Sequence, residues 1–507
     1  MNPARRQLLA CLAGLLSAPL LPRTAPAAIR LGKTGDDLCN LGAKDAVALM
    51  RSGELSAENY AAALLARAQQ RSHLNAFISL DPDRVLAAAR AADKLRAAGK
   101  TLGRLHGLPI PVKDSVLTAD YPTTAGTKAL GALAPRRDAP LILRLKDQGA
   151  IVMGKTNLHE LSTGFTSNNE IFGPVRNPWD LTRIPGGSSG GTAAAVASGI
   201  APLGVAEDSA GSIRVPAALC GVIGFRPGMG RYPVEDIVPL VPLFDQLGPQ
   251  ARRMQDIVLF DDVVTGRSAP LKPASMQGVR LGVPRTWFYE GVESSASIIM
   301  ENTLVALGET GAVLVEADIP DIKSLLEQSF MPILFHDTWG VLDGWLKSIG
   351  ISGGLEAILV EAGAGIRATY TSVLSPVGAN AIPREVYENA LNVARPALIA
   401  AVRKYFADHR LDAMVVPATL CAAPLIGEDT ETVIDGRTVS IFDALGHNTT
   451  LAPSCGLPAL TIPAGLAPGT GLPLAIEIDA LPGDDGKLLS LGLGISEYVF
   501  EPSLAPE

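Results

Sequence analysis

The stretch IPGGSSGGTAAAVASG, residues 184–199, decides how this chain is read. Its glycines and serines would suit a flexible linker. They would equally suit a tight loop feeding a helix, because the Ala-rich run at 192–197 is strongly helix-forming. Two flanking segments arbitrate. GLPIPVKD ends a strand-like run at Lys113, 75 positions before Ser188, and AGSIRVPAALCG places Ser212 24 positions after it. A linker has no reason to sit at set distances between a strand end and a turn. The stretch therefore reads as a loop that belongs to a site.

The rest of the chain supplies the frame for such a site. Its 507 residues are 47% hydrophobic and 19% charged, ample material for a large core. The net charge of −8, with no long basic run, argues against a nucleic-acid partner, since counterion release needs clustered Lys or Arg. Cys11, Cys39, Cys220, Cys421 and Cys455 are far apart and show no ligand spacing, so buried free thiols are favoured over disulfides. No HExxH or HxxxH spacing occurs among the six histidines, and no metal site is expected. Residues 1–27 carry Arg5 and Arg6 before an apolar run at 8–21, then Ala25-Pro26-Ala27. This pattern resembles a twin-arginine export signal and predicts a periplasmic or secreted mature chain, with cytoplasmic residence as the alternative. The run falls short of the roughly 20 residues of a membrane span, so stable insertion is not expected.

Helical periodicity runs over 41–70 and 82–98. From residue 107 short apolar runs (108–112, 150–153, 202–205, 222–225) alternate with helical patches at 138–148 and 191–198. The alternation predicts an α/β fold, a mixed central sheet between helical layers. A Pro/Ser/Gly-rich stretch at 266–277 reads as a link, 277–411 as a variable helical middle, and 415–491 as a return to strands at 459–462 and 474–478. Residues 28–507 read as one domain.

Two motif matches fail on physical grounds. GAIVMGKT, residues 149–156, fits the phosphate-loop pattern, but its middle four residues are a buried-strand run where the loop needs open backbone. GGSSG, residues 186–190, fits the nucleophile elbow of α/β-hydrolases, yet Pro178 and Pro185 make the preceding segment a loop rather than a strand. His336, His409 and His447 lie downstream, so an esterase built on GxSxG stays open as an alternative.

Together with GKTNLHEL (154–161), NPWD (177–180) and GVIGFRP (221–227), the Lys113, Ser188 and Ser212 segments resemble the amidase signature family over about residues 74–230. Weaker similarity continues through GEDTETVIDGR (427–437) and GLPALTIPAG (456–465). Within that family the run ELSTGFTSNNEIFGPVRNPWD resembles bacterial indoleacetamide and mandelamide hydrolases. The resemblance implies hydrolysis of a small-molecule carboxamide, primary and arylacetamide-like, without a cofactor. It implies Ser212 as the nucleophile, Ser188 as a bridge entered by a cis peptide bond, and Lys113 as the base. A base at 113 must be an uncharged amine, which burial favours. The resemblance also implies an oxyanion hole from the backbone N–H groups of Ser209, Ala210, Gly211 and Ser212. Asp114 and Asn157 are candidates to hold Lys113 by hydrogen bonds, and Arg214 and Glu160 read as structural ion pairs. A homodimer would be unsurprising for the family.

One departure stands out. Where the family shows G-T-D-T-G-G-S, this chain has Ala206-Glu207-Asp208-Ser209-Ala210-Gly211-Ser212. If position 210 needs a positive φ, its Cβ costs about 1–2 kcal/mol. Ala210 therefore keeps a non-catalytic binding protein on the same fold as a rival reading.

Overall fold

The computed structural model describes residues 35–132, 134–498 and 504–506. The expected export signal at 1–27 and Cys11 lie outside the described residues. Among those described, Cys39, Cys220, Cys421 and Cys455 are buried free thiols.

One mixed sheet organises the chain. Its strands are β1 (Phe77–Leu80), β2 (Pro109–Lys113), β3 (Ile151–Thr156), β4 (Leu203–Asp208), β5 (Ile223–Arg226), β6 (Gln246–Ala251), β7 (Arg280–Gly282), β8 (Val313–Val315), β9 (Ala413–Pro417), β10 (Ala459–Leu466) and β11 (Pro473–Asp479). They lie in the order β1-β3-β2-β4-β6-β5-β10-β11-β9-β7-β8. The neighbours β3, β2 and β4 run parallel, and every residue in them is buried. That burial is why they read as continuous apolar runs rather than as an alternation. Pro109 and Pro111 cannot donate to a ladder, and the β2–β3 register shifts between Ile110 and Pro111.

Helices surround the sheet. Helix α1 (Gly190–Ala197) is buried along its whole length and packs on β2, β4 and β6. Its residues, Gly, Thr, Ala and Val, present no large side chain, which permits close approach to the strands. Helix α2 (Arg214–Cys220) follows β4 through a short turn and packs on α1, β5, β10 and β11.

Two expectations change in detail. The helical stretch 41–70 is two helices, Ala43–Ser52 and Ala57–Gln70. Gly53 adopts a left-handed C-cap, and the Ser56 side chain accepts a hydrogen bond from the Asn59 N–H to start the second helix. The middle segment is not helical throughout, because β7 and β8 leave it to extend the sheet edge beside β9. Its longest element is the helix α3 (Ile322–Ser348).

Candidate active site

Strands β2 and β4 are parallel neighbours, with Val112 opposite Val205. Their carboxyl ends therefore emerge side by side, where open α/β sheets carry their chemistry. Lys113 is the last residue of β2. The turn after β4 carries Ser212 into α2, and the 184–189 loop brings Ser188 to the start of α1.

The loop before α1 is drawn inward by its own backbone. The Gly187–Ser188 peptide bond is cis, as the family resemblance implies. A Cβ at Gly187 would come within 2.8 Å of the Phe165 carbonyl carbon, so only glycine fits this approach. The Ser167 hydroxyl donates to the carbonyls of Gly186 (2.8 Å) and Ser188 (3.3 Å), and it accepts from the Gly190 N–H (3.1 Å). Ser188 and Ser189 then part company. Lys113 Nζ donates to Ser188 Oγ at 2.6 Å, whereas Ser189 Oγ donates to the Glu207 carbonyl at 3.1 Å. Of the two adjacent hydroxyls, Ser188 is the one that meets the amine.

The turn carrying Ser212 is shaped by Asp208. Its carboxylate accepts from the N–H groups of Gly211 (2.9 Å) and Ile213 (3.0 Å), and it pairs with Arg214 and Arg226 at 3.0 Å each. Burial opposes its ionisation, but the two guanidinium groups prevail and hold the carboxyl's affinity for a proton well below the usual carboxylate range. Gly211 has a φ of 127°, and a Cβ there would overlap Thr449 Oγ1. Gly211→Ala is therefore expected to tilt the Ser212 peptide and lower kcat/KM by about 10- to 100-fold, given a backbone cost of about 1–2 kcal/mol plus the steric overlap. Wild-type kinetics in that variant would show that the turn tolerates the added carbon.

The departure at position 210 loses its force here. Ala210 is absent from the residues with positive φ, so its Cβ carries no backbone penalty. The position that requires glycine is 211. Of the four N–H groups expected to face an oxyanion, that of Gly211 is donated to Asp208. The N–H groups of Ser209, Ala210 and Ser212 have no hydrogen-bond acceptor among the described residues.

The expected supports of Lys113 are placed elsewhere. Asp114 pairs with Lys155 at 3.0 Å and accepts from Thr124, while Asn157 donates to the carbonyls of Asn75 (3.2 Å) and Gly173 (3.1 Å). Asp114 lies in the turn just past the end of β2, and Lys155 and Thr124 take up its carboxylate. Glu160, expected in an ion pair, instead accepts from the Gly363 N–H at 3.0 Å just before the helix Ala364–Thr369. Arg214 does form the expected structural pairs, reaching Glu477 at 2.6 Å as well as Asp208.

The charged partner of Lys113 is a residue to which the sequence reading assigns no role. Glu207 Oε2 lies 3.0 Å from Nζ, both side chains fully buried. Burial pushes the Lys113 amine below its usual basicity, and Glu207 opposes that shift. In the sequence it stands at the end of β4 next to Asp208, where the family pattern quoted above has threonine. No hydrogen bond joins the hydroxyls of Ser188 and Ser212 among the described contacts, as is common before a substrate tightens a site.

Ser212 and Ala210 open onto a cavity of about 560 Å3, walled by Phe165, Met331, Leu334 and Phe442 among others. A depression of about 690 Å3 between Arg137, Asp236 and Trp345 contains none of the three site residues. The would-be phosphate loop is strand β3, with Lys155 buried in it. His336 stacks on Tyr387 and His447 on Trp287, while His409 packs edge-on to Tyr405. None is hydrogen-bonded to Ser188, as an esterase on GxSxG would need.

The amidase family model matches residues 60–489. The chain belongs to the amidase family. This amidase is 37% identical over 440 residues to an indoleacetamide hydrolase of Agrobacterium vitis, covering 86% of its own chain and 92% of that protein. It is 33% identical to a mandelamide hydrolase of Pseudomonas putida, covering 91% and 92%. A solved structure described as an amidase superposes with a TM-score of 0.80 at 28% identity, covering 91% and 100%. The amidase is thus a hydrolase acting on amides, on a mixed sheet with helices around it.

Proposed function

We propose that this amidase hydrolyses a primary carboxamide bearing an arylacetyl-type acyl group, through an acyl-enzyme on Ser212 served by Ser188 and Lys113. The observation that carries the reading is the 2.6 Å contact of a buried lysine with Ser188, beside a serine that opens onto an apolar cavity. In the proposed sequence Ser212 Oγ attacks the carbonyl carbon. Its proton passes to Ser188 Oγ, whose own proton passes to the neutral Lys113 Nζ. Developing negative charge on the carbonyl oxygen is met by the free N–H groups of Ser209, Ala210 and Ser212, each such donor being worth about 3–4 kcal/mol. When the C–N bond breaks, the proton returns through Ser188 to the departing nitrogen, and ammonia leaves. Water then attacks the ester by the same relay, freeing the carboxylate.

The cavity walls support the proposed acyl preference. Phe165 and Phe442 meet edge to face with centroids 5.5 Å apart, and Leu334 and Met331 add apolar surface. Glu160, Glu170 and Asp429 also line the cavity, while no Lys or Arg does. An anionic acyl group would meet only like charge there. The names of the two hydrolases above favour the same arylacetyl class.

An ammonia-release screen over aryl, aliphatic and carboxylate-bearing amides tests this. Arylacetamides are expected to exceed carboxylate-bearing amides by at least about tenfold in kcat/KM, the reverse order being fatal to the reading. Phe442→Ala is expected to raise KM for arylacetamides by about 3- to 10-fold, from an aromatic contact of about 0.5–1.5 kcal/mol. An unchanged KM would place the aryl group elsewhere.

A further inference from the structure

Resting on the Ser212–Ser188–Lys113 reading, we propose that Glu207 is a positioning residue for the Lys113 amine. It holds Nζ against Ser188, sets the pH at which the amine is free to take a proton, and stabilises the ammonium that forms when it does.

The geometry is that of a dedicated counter-ion. Nζ has three acceptors about it, namely Ser188 Oγ at 2.6 Å, Glu207 Oε2 at 3.0 Å and the Glu207 carbonyl at 3.5 Å. Three acceptors match the three N–H bonds of an ammonium. Glu207 is itself anchored from other segments. Oε2 also accepts from Ser115 Oγ (2.8 Å) and Ser162 Oγ (3.0 Å). Hydroxyls from two other segments thus hold the buried carboxylate in place when the amine changes charge. The family pattern quoted above carries threonine at this position, which would supply neither the charge nor the reach.

Other charged groups facing the amine are accounted for. Asp208 is matched by Arg214 and Arg226, and Asp114 by Lys155. Asp245 accepts from Ser209 Oγ at 2.5 Å and from the N–H groups of Leu240 and Val241; burial and the neighbouring Glu207 push it up to about 6. Burial pushes His159 down to about 4, leaving it uncharged at neutral pH. Among the described residues Glu207 alone places a carboxylate in contact with Nζ.

The consequence has two opposed parts. An anion at this distance favours the ammonium, so the amine becomes free only at higher pH than burial alone would set. The same anion is already in place where positive charge develops as Nζ takes the Ser188 proton, and such pre-organised charge raises the rate of the step. No proton is lost or gained overall, since Nζ returns it to the leaving nitrogen.

The test is the pH profile of kcat/KM for the wild type, Glu207→Gln, Glu207→Thr and Glu207→Asp. The two neutral variants are expected to move the acid limb to lower pH by about 1–3 pH units, the usual effect of one adjacent opposite charge. Their plateau rates should fall. Glu207→Asp, which keeps the charge, should retain the wild-type limb. If Glu207→Gln does not fold, Glu207→Thr carries the comparison, because it restores the residue the family pattern has there. An unmoved limb in a folded neutral variant overturns the proposal, and so does a limb moved to higher pH, which would mean that the carboxyl itself holds the relayed proton. Ser212→Ala and Lys113→Ala run alongside separate the two readings. Activity surviving in them would sink the relay itself, whereas their inactivity with an unmoved limb would sink the role of Glu207 alone.

Discussion

Ser212→Ala is expected to lower kcat/KM on a primary arylacetamide by about 10⁴-fold or more, the scale on which removal of a serine nucleophile acts in acyl transfer. The Ser212 side chain takes part in no hydrogen bond among the described contacts, so its truncation should leave the melting temperature near that of the wild type. Lys113→Ala should reach a similar loss of rate for a different reason. In the proposed relay, loss of the amine leaves Ser188 without an acceptor for its proton, and the attacking oxygen must shed its own to solvent. That variant also strands the Glu207 carboxylate in a dry site, at a stability cost of about 3–5 kcal/mol. Combining the two substitutions should cost little more rate than either alone, because residues that act as a unit are not additive. Rates within tenfold of wild type in folded Ser212→Ala would remove the acyl-enzyme.

The largest effect on stability is expected at Asp208. Asp208→Asn leaves Arg214 with only Glu477 as a charged partner and Arg226 with none among its described ion pairs. It also weakens the N–H acceptors that set the turn before Ser212. Breaking a buried pair costs about 3–5 kcal/mol, since the stranded charge cannot be rehydrated. The same carboxylate gives a pH signature. Its folded-state affinity for protons is depressed, so its contribution is fully present above the ordinary carboxylate range near about 4. That contribution is lost only as the pH falls through the depressed value. Wild-type protein should therefore keep an advantage over Asp208→Asn throughout the neutral range, with the gap closing in strong acid. Calorimetric melts at several pH values would measure it. Melts that coincide at neutral pH would mean that the arginines find other partners.

Much of the architecture was legible because buried parallel strands announce themselves as short apolar runs. The runs at 108–112, 150–153 and 202–205 became β2, β3 and β4, and the Ala-rich run became α1. The edge strands β7 and β8 were not legible. At three residues each they hold too few side chains to show a period, and long helical stretches surround them. At the site, the spacing of Lys113, Ser188 and Ser212 was legible, whereas it took the structure to show Ser188 Oγ at the amine and Ser189 Oγ at the Glu207 carbonyl. Asp114 was misplaced because adjacency in sequence suggests contact, whereas in the turn that begins after β2 its carboxylate goes to Lys155 and Thr124.

What the sequence by itself determined is the local chemistry of the chain: buried strands from continuous apolar runs, a helix from alanine, a loop from clustered glycines. These are short-range effects, set by each residue's own backbone preference and hydrophobicity. Only the tertiary structure decided that Gly211 rather than Ala210 bears the positive φ, that Asp208 takes the Gly211 N–H, and that Glu207 meets Lys113. Each depends on the register between segments distant along the chain. Lys113 and Glu207 are 94 positions apart and come together because β2 and β4 pair with Val112 opposite Val205. No periodicity within either strand encodes that register, which is settled by the packing of the whole sheet.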